Sequence, residues 1–332
     1  MIGADMKKQI WTAALASVVF ALGGCGGGSS SSDTNVIQIP TLNPPPPPPP
    51  PPPPVSVRAE ITSALGVYKS GVDYYKSGNY IIMNNIWGIK DRKDIVNGVD
   101  YTSKIEYSPD NLNKSISFNW DFPNKLLTES GNLIYGYPEI AWGNPLPFSG
   151  YGNASAAIAK IGDIRTLVQT YDVTLLGDKN NYSLMHDVWI FDKNGIITGE
   201  ITIYVHADEW TLKWAGPNGY FASLPNAKTL LFNDSNFSFN VVISPAKGPN
   251  GESVINYLFT PAGSNQPING AIDWVKIFDF LSANGGLSKS DYIRGIETGN
   301  EIHKGKGGMT VNNFSVLMTY FDPVTGQVLT FR

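Results

Sequence analysis

Residues 200–206, Glu-Ile-Thr-Ile-Tyr-Val-His, alternate without a break between polar or aromatic side chains and aliphatic ones. A period of two puts Glu200, Thr202, Tyr204 and His206 on one face of an extended chain and Ile201, Ile203 and Val205 on the other, a pattern that no helix can use. Such a strand rests its aliphatic face on a core and turns a carboxylate, a phenol and an imidazole outward. That outward face packs poorly. It suits a sugar, whose hydroxyls take hydrogen bonds and whose ring faces take aromatic contact, so the strand reads as the floor of a groove.

Similar short alternating segments, bounded by turn residues, recur at 115–120, 172–176, 187–191, 237–243 and 311–317. Together they predict an all-β chain: a meander of strands making a β-jelly roll of two packed antiparallel sheets with a concave substrate groove. One segment departs from the rule. Residues 272–281 carry apolar side chains at spacings of three and four, and Gly285-Gly286 ends the run, which predicts a single amphipathic helix at about 272–284. Charged residues make up 16% of the chain against a usual value of about 25%. Formal net charge is -4, with no basic block outside the leader, so nucleic acid is excluded as a partner. His186, His206 and His303 are dispersed and lack the spacing of a shared metal site; no phosphate loop, dinucleotide fingerprint or Gly-x-Ser-x-Gly elbow is present. The reading is of a domain with no metal and no cofactor.

The N-terminal region is organised differently. Lys7 and Lys8, just after a second possible start at Met6, precede an apolar run at 10–22 that is shorter than the roughly 20 residues of a membrane span. Leu22-Gly23-Gly24-Cys25 closes it and resembles a bacterial lipobox, with Gly23 a mild departure from the commonest form. The resemblance implies that residues 1–24 are a signal peptide and that Cys25, the chain's one cysteine, becomes the lipidated first residue. Residues 25–58 are read as a disordered linker, Gly/Ser-rich at 26–32 and then an unbroken proline run at 44–54. In polyproline II that run spans about 34 Å and acts as a stiff spacer. The expectation is an exported monomer held to the cell envelope, at the outer membrane or cell surface, by its lipid alone. With no disulfide available, the domain at 59–332 must be stabilised by its own core.

Several segments of that domain, taken in order over about 75–332, resemble glycoside hydrolase family 12, the retaining endo-β-1,4-glucanases and xyloglucanases. The strongest part is Asp273 to Val316: an aromatic-rich helix, then Tyr292-Ile293-Arg294-Gly295-Ile296-Glu297-Thr298-Gly299-Asn300-Glu301, then Met309-Thr310-Val311-Asn312-Asn313-Phe314-Ser315. The resemblance implies a jelly roll in which Glu301 is the general acid/base. Asp187-Val188-Trp189 and Glu200-Ile201-Thr202-Ile203-Tyr204-Val205 are similar to the family's aspartate and nucleophile strands, which implies Glu200 as nucleophile and Asp187 as its hydrogen-bonding neighbour. Asn84-Asn85-Ile86-Trp87-Gly88 is similar to the segment whose tryptophan lines the sugar cleft, and Tyr137-Pro138-Glu139-Ile140-Ala141-Trp142-Gly143 to the loop that follows. Thr202 and Tyr204 stand where the family usually has methionine and tryptophan, and the cysteines many members carry after the Tyr-Pro segment are absent, with Asn144 and Pro145 in their neighbourhood.

On residue chemistry alone, two carboxyls held about 5 to 5.5 Å apart can supply both the attacking electron pair and the proton that glycoside cleavage with retention needs. Glu297 shares strand parity with Glu301 and competes for the acid role; Glu139 is a weaker competitor. Asn85, Trp87, Trp142, Trp189, Thr202, Tyr204 and His206 are the expected sugar contacts, whereas Trp120 and Trp274 read as core. His303 is expected to be solvated or hydrogen-bonding near the cleft. The expected activity is endo-acting hydrolysis of a β-1,4-glucan such as cellulose, mixed-linkage glucan or xyloglucan. The alternatives are a xyloglucan-specific hydrolase or a non-catalytic glucan-binding or adhesion module on the same fold.

Overall fold

Each alternating segment finds neighbours that cover its aliphatic face, and the result is two sheets sharing one core. The computed structural model describes residues 58–62, 73–89, 95–126, 134–144, 159–248 and 251–332. The expected signal peptide, Cys25 and the proline run lie outside the described residues. In chain order the first strands are β1 (Ala59–Ile61), β2 (Tyr74–Ser77), β3 (Tyr80–Asn85), β4 (Thr102–Tyr107), β5 (Ile116–Asp121) and β6 (Tyr137–Gly143). Then come β7 (Ala159–Lys160), β8 (Ile164–Gly177), β9 (Tyr182–Phe191), β10 (Ile197–His206), helix α1 (Glu209–Ala215), β11 (Lys228–Asn233), β12 (Ser238–Lys247) and β13 (Ser253–Pro261). The chain ends with β14 (Asn269–Asp273), helix α2 (Trp274–Asn284), β15 (Tyr292–Ile293), β16 (Gly295–Ile302), β17 (Lys306–Asp322) and β18 (Gln327–Phe331).

One sheet runs β1-β4-β5-β17-β8-β14, with β18 beside β17; the other runs β11-β12-β13-β10-β9-β16-β6-β3-β2, with β15 beside β9 and β7 beside β15. The core between them takes Ile201, Ile203 and Val205 of β10 together with Phe118, Leu167, Val311 and Phe314 of the facing sheet. The alternation read from 200–206 thus sorts those three aliphatic side chains inward, and the opposite parity of β10 is left for the outer face.

Four expectations change. The strands are not a pure antiparallel meander, because β10 pairs parallel with β13 (Glu200 opposite Asn256), which makes that sheet mixed. Sequence-adjacent strands can turn directly, whereas this parallel pair needs a crossover, here supplied by α1, β11 and β12. The expected helix starts two residues late: Ile272 and Asp273 belong to β14, and the Asp273 carboxylate accepts from Val275 N as the N-cap of α2. Trp274, Ile277, Phe278 and Leu281 then bury the apolar stripe of α2 in the core.

The second helix was not anticipated. Asp208 caps α1 through Thr211 N, and Gly216-Pro217 stops it, so its signals were of the ordinary kind but spread over only two turns. Residues 137–143 are no loop but the internal strand β6. A proline is disfavoured in a central strand; the missing N–H of Pro138 is accommodated because the ladder with β16 runs from Gly143 to Glu139 and skips Pro138 before the isolated bridge of Gly136 to Ile302.

Candidate active site

The outer face of the larger sheet gathers acids. Strand β9 runs antiparallel between β10 and β16: Thr202 lies opposite Asp187 on one side, and Glu297 lies opposite Asp187 on the other. Glu200 sits opposite Trp189, Glu301 opposite Ser183, and Gly299 opposite both Met185 and Glu139 of β6. Five carboxyls, from Glu139, Asp187, Glu200, Glu297 and Glu301, therefore share one face of four adjacent strands. Their exposure divides them. Glu139, Asp187 and Glu297 are 0%, 2% and 2% exposed, while Glu200 and Glu301 remain only half-buried.

So many acids in one dry patch cannot all carry charge. Burial pushes Glu200 up to about 7, against which a hydrogen bond from Asp187 works. Asp187 is driven well above the usual carboxylate range by burial and then by the neighbouring Glu200 charge. Burial and their mutual charge together favour a single proton shared between Asp187 and Glu200. Thr202 Oγ1 donates to Asp187 Oδ1 over 3.5 Å, at the limit of hydrogen bonding. A second acid pair stands beside the first: Glu297 is held well above its usual range by burial and by Glu139, and Glu139 is pushed up to about 8 by burial, eased by hydrogen bonds from Asn85 and Glu297. Asn85 Nδ2 donates to Glu139 Oε1 at 3.1 Å, which ties the expected sugar contact Asn85, 6% exposed, to the acid pair.

Glu301 is also raised by burial, to about 7, and is opposed by His303 and by a hydrogen bond from Tyr204. Tyr204 Oη donates to Glu301 Oε2 at 2.9 Å, so this phenol touches the candidate acid directly. Behind Glu301 lies a buried polar knot that sequence reading did not assemble. Ser183 Oγ and Thr211 Oγ1 are 2.6 Å apart, Thr211 Oγ1 and His303 Nε2 are 3.2 Å apart, and Asp208 Oδ1 lies 3.5 Å from His303 Nε2. His303, expected to be solvated or hydrogen-bonding, takes the second course: it is 3% exposed and bonds within this knot, where the N-terminus of α1 covers it. The motif Gly299-Asn300-Glu301 has a packing reason as well. A Cβ at residue 299 would stand 2.6 Å from Pro138 O and 2.7 Å from the Tyr137 ring, so only glycine lets β6 and β16 close between Glu297 and Glu301.

The remaining expected contacts divide. Trp87 is half-buried and packs on the outer-face cluster of Tyr137, Met185, Tyr204, Ala207, Ala215, Val242 and Leu258. Trp189, also half-buried, shares that face with Asp187 and packs near Phe191, Ile197 and Val254. Two leave the site. Trp142 is 1% exposed in the inter-sheet core, because the strand parity that turns Glu139 outward turns Ile140 and Trp142 inward. His206 follows a β-bulge between Tyr204 and His206, which breaks the alternation and pairs it with the core residue Leu184. Its ring nitrogens contact Lys179 O and Asn265 Nδ2, each at 2.8 Å. Trp120 and Trp274 are buried in the core, as read. Among the described residues, no group of three or more histidines, cysteines or acids is arranged to hold a metal ion.

Comparison of the sequence with protein-family models finds no match, and comparison with curated proteins finds none. The fold is another matter. Superposed on the native family 12 xyloglucanase from Bacillus licheniformis, the structure gives a TM-score of 0.54 at 17% identity, over 78% of this chain and 100% of that one. A ligand complex of the Bacillus licheniformis family 12 xyloglucanase gives 0.52 at 19% identity, with 78% and 99% covered. The catalytic domain of Humicola grisea Cel12A, soaked with a thio cellotetraose, gives 0.54 at 16% identity, with 78% and 98% covered. The chain has the β-jelly-roll fold of the family 12 glycoside hydrolases.

Proposed function

We propose that the domain is an endo-acting β-1,4-glucan hydrolase that retains anomeric configuration, with Glu200 as nucleophile and Glu301 as general acid/base. One observation carries the assignment: of five carboxyls on one sheet face, only Glu200 and Glu301 keep part of their surface exposed, on the two strands that flank β9. A group that attacks an anomeric carbon or protonates a leaving oxygen must be reachable. Glu297 and Glu139 are sealed, which favours Glu301 over its competitor. The likeness to a fold whose solved examples include a xyloglucanase and an enzyme bound to a thio cellotetraose supports a β-glucan as substrate.

In this mechanism Glu200, ionised while the shared proton rests on Asp187, attacks the anomeric carbon while Glu301 gives its proton to the departing oxygen. Glu301, now ionised and holding the Tyr204 hydrogen bond, takes a proton from water, and the resulting hydroxide displaces Glu200 from the glycosyl-enzyme. Lipidation of Cys25 would hold this activity at the cell envelope; palmitate labelling that persists in Cys25→Ser overturns that part.

The test is release of reducing sugar from soluble cellulose derivatives, mixed-linkage glucan and xyloglucan, which also separates the general from the xyloglucan-specific activity. Glu200→Ala and Glu301→Ala should each lower kcat by orders of magnitude with oligosaccharide affinity within a few-fold. With an activated aryl glycoside, azide should rescue Glu301→Ala to a β-glycosyl azide and Glu200→Ala to the α-anomer. Binding without any sugar release by the wild type would instead make this a glucan-binding module.

A further inference from the structure

Helix α1 and the turn after it build an aromatic wall that the carboxylate chemistry does not use. Trp214 lies 5.2 Å from Tyr220 and 5.9 Å from Phe221, ring centre to ring centre, and Tyr220 lies 5.5 Å from Phe221. The set is not core: Tyr220 is 52% exposed, and Trp210, Trp214 and Phe221 are half-buried. It is continuous with the candidate site. Phe221 and Ala222 pack on the same outer-face cluster that holds Tyr204 and Tyr137 and that Trp87 abuts, and Tyr204 reaches Glu301.

The wall is rigid and electrically quiet. Gly219 N donates to Gly216 O at 2.9 Å and Tyr220 N to Lys213 O at 2.9 Å, while a Cβ at Gly219 would stand 2.8 Å from the carbonyls of Lys213 and Trp214. Close backbone packing thus fixes Trp214 and Tyr220 before any ligand arrives, which reduces the entropy lost on binding. Lys213 is paired with Glu209 at 2.6 Å and lies over the Trp210 ring at 4.4 Å. An exposed, preorganised aromatic surface with balanced charge fits a neutral ligand with flat apolar faces and hydroxyl edges.

We propose that Trp214 and Tyr220 form a sugar-stacking subsite that holds a β-glucan chain beyond the units in contact with Glu200 and Glu301. The proposal rests on the hydrolase reading for its substrate class. Because stacking remote from the scissile bond stabilises ground and transition states alike, it should act on KM and leave kcat alone.

The experiment compares the full wild-type chain with Trp214→Ala and Tyr220→Ala on an aryl cellobioside and on cello-oligosaccharides of increasing length, with calorimetric affinity for the longest. Each variant should raise KM and Kd for the longest chains about tenfold while leaving aryl cellobioside hydrolysis unchanged. Tyr220 is exposed, so its variant keeps the test readable if Trp214→Ala does not fold. Unchanged affinity for long chains overturns the subsite, as does an equal loss on short and long substrates. So does a wild-type dimer, seen by sedimentation, that the same substitutions abolish. Calorimetry reads the subsite even if the wild type hydrolyses nothing, so failure of the hydrolase reading and failure of this one are separate results.

Discussion

Tyr204 shows how one side chain on a strand can belong to both packing and chemistry. Its ring sits in the outer-face cluster, 6% exposed, and its hydroxyl ends on Glu301. A donor aimed at a carboxylate favours the ionised form, so this bond holds Glu301 lower than burial alone would. Activity in the proposed mechanism needs Glu200 ionised and Glu301 protonated, each near about 7, which predicts a narrow bell-shaped profile of kcat/KM around neutrality. Tyr204→Phe removes the donor, raises Glu301, and should move the alkaline limb upward by about one pH unit. A profile with both limbs unmoved would show that the phenol only packs. Identical parity arguments placed Tyr204 and His206 together; the bulge between them separates a residue of the site from a residue of the core.

At the scale of elements, the site depends on how closely β6 and β16 approach. Gly299 sits between Glu297 and Glu301, where an added methyl would meet Pro138 O, the Tyr137 ring and Glu139 Cβ within 2.8 Å. Gly299→Ala should cost about 1 to 3 kcal/mol, read from the urea midpoint, because two backbones rather than a flexible side chain must yield. It should also misplace Glu301 and lower kcat more than it raises KM; a stable variant with normal kcat would mean that the strands can part without consequence. Helix α1 is a second determinant of the same neighbourhood. Its cap Asp208 also approaches His303, so a helix of two turns fixes the residues behind Glu301 as well as the aromatic wall outside it. Nothing in the periodicity of 209–215 announced that double use.

For the whole molecule, the buried acids couple folding to pH. Glu139, Asp187, Glu200, Glu297 and Glu301 all ionise at higher pH folded than unfolded, where a glutamate's ordinary value is 4.5. The folded chain therefore binds more protons than the unfolded one between that value and about 7 to 8, and stability is full below it and lost as pH rises through that range. Each such group contributes a slope of up to about 1.4 kcal/mol per pH unit. The urea midpoint should fall from about pH 5 to about pH 8, and Glu297→Gln, an uncharged stand-in for the protonated acid, should flatten the fall. A slope unchanged in Glu297→Gln would show that this acid is already ionised in the folded state. The all-β class, the inward and outward sorting of 201–205, and helix α2 are legible in the chain alone, because alternation and three-to-four spacing are local periodicities that burial must obey. Short motifs also placed Glu200, Asp187 and Glu301 in strands that prove to be neighbours. The convergence of five acids, the partial exposure of two of them, the inward turn of Trp142 and the parallel pairing of β10 with β13 emerge in the folded molecule, since exposure, register and bulges arise from strands far apart in the chain.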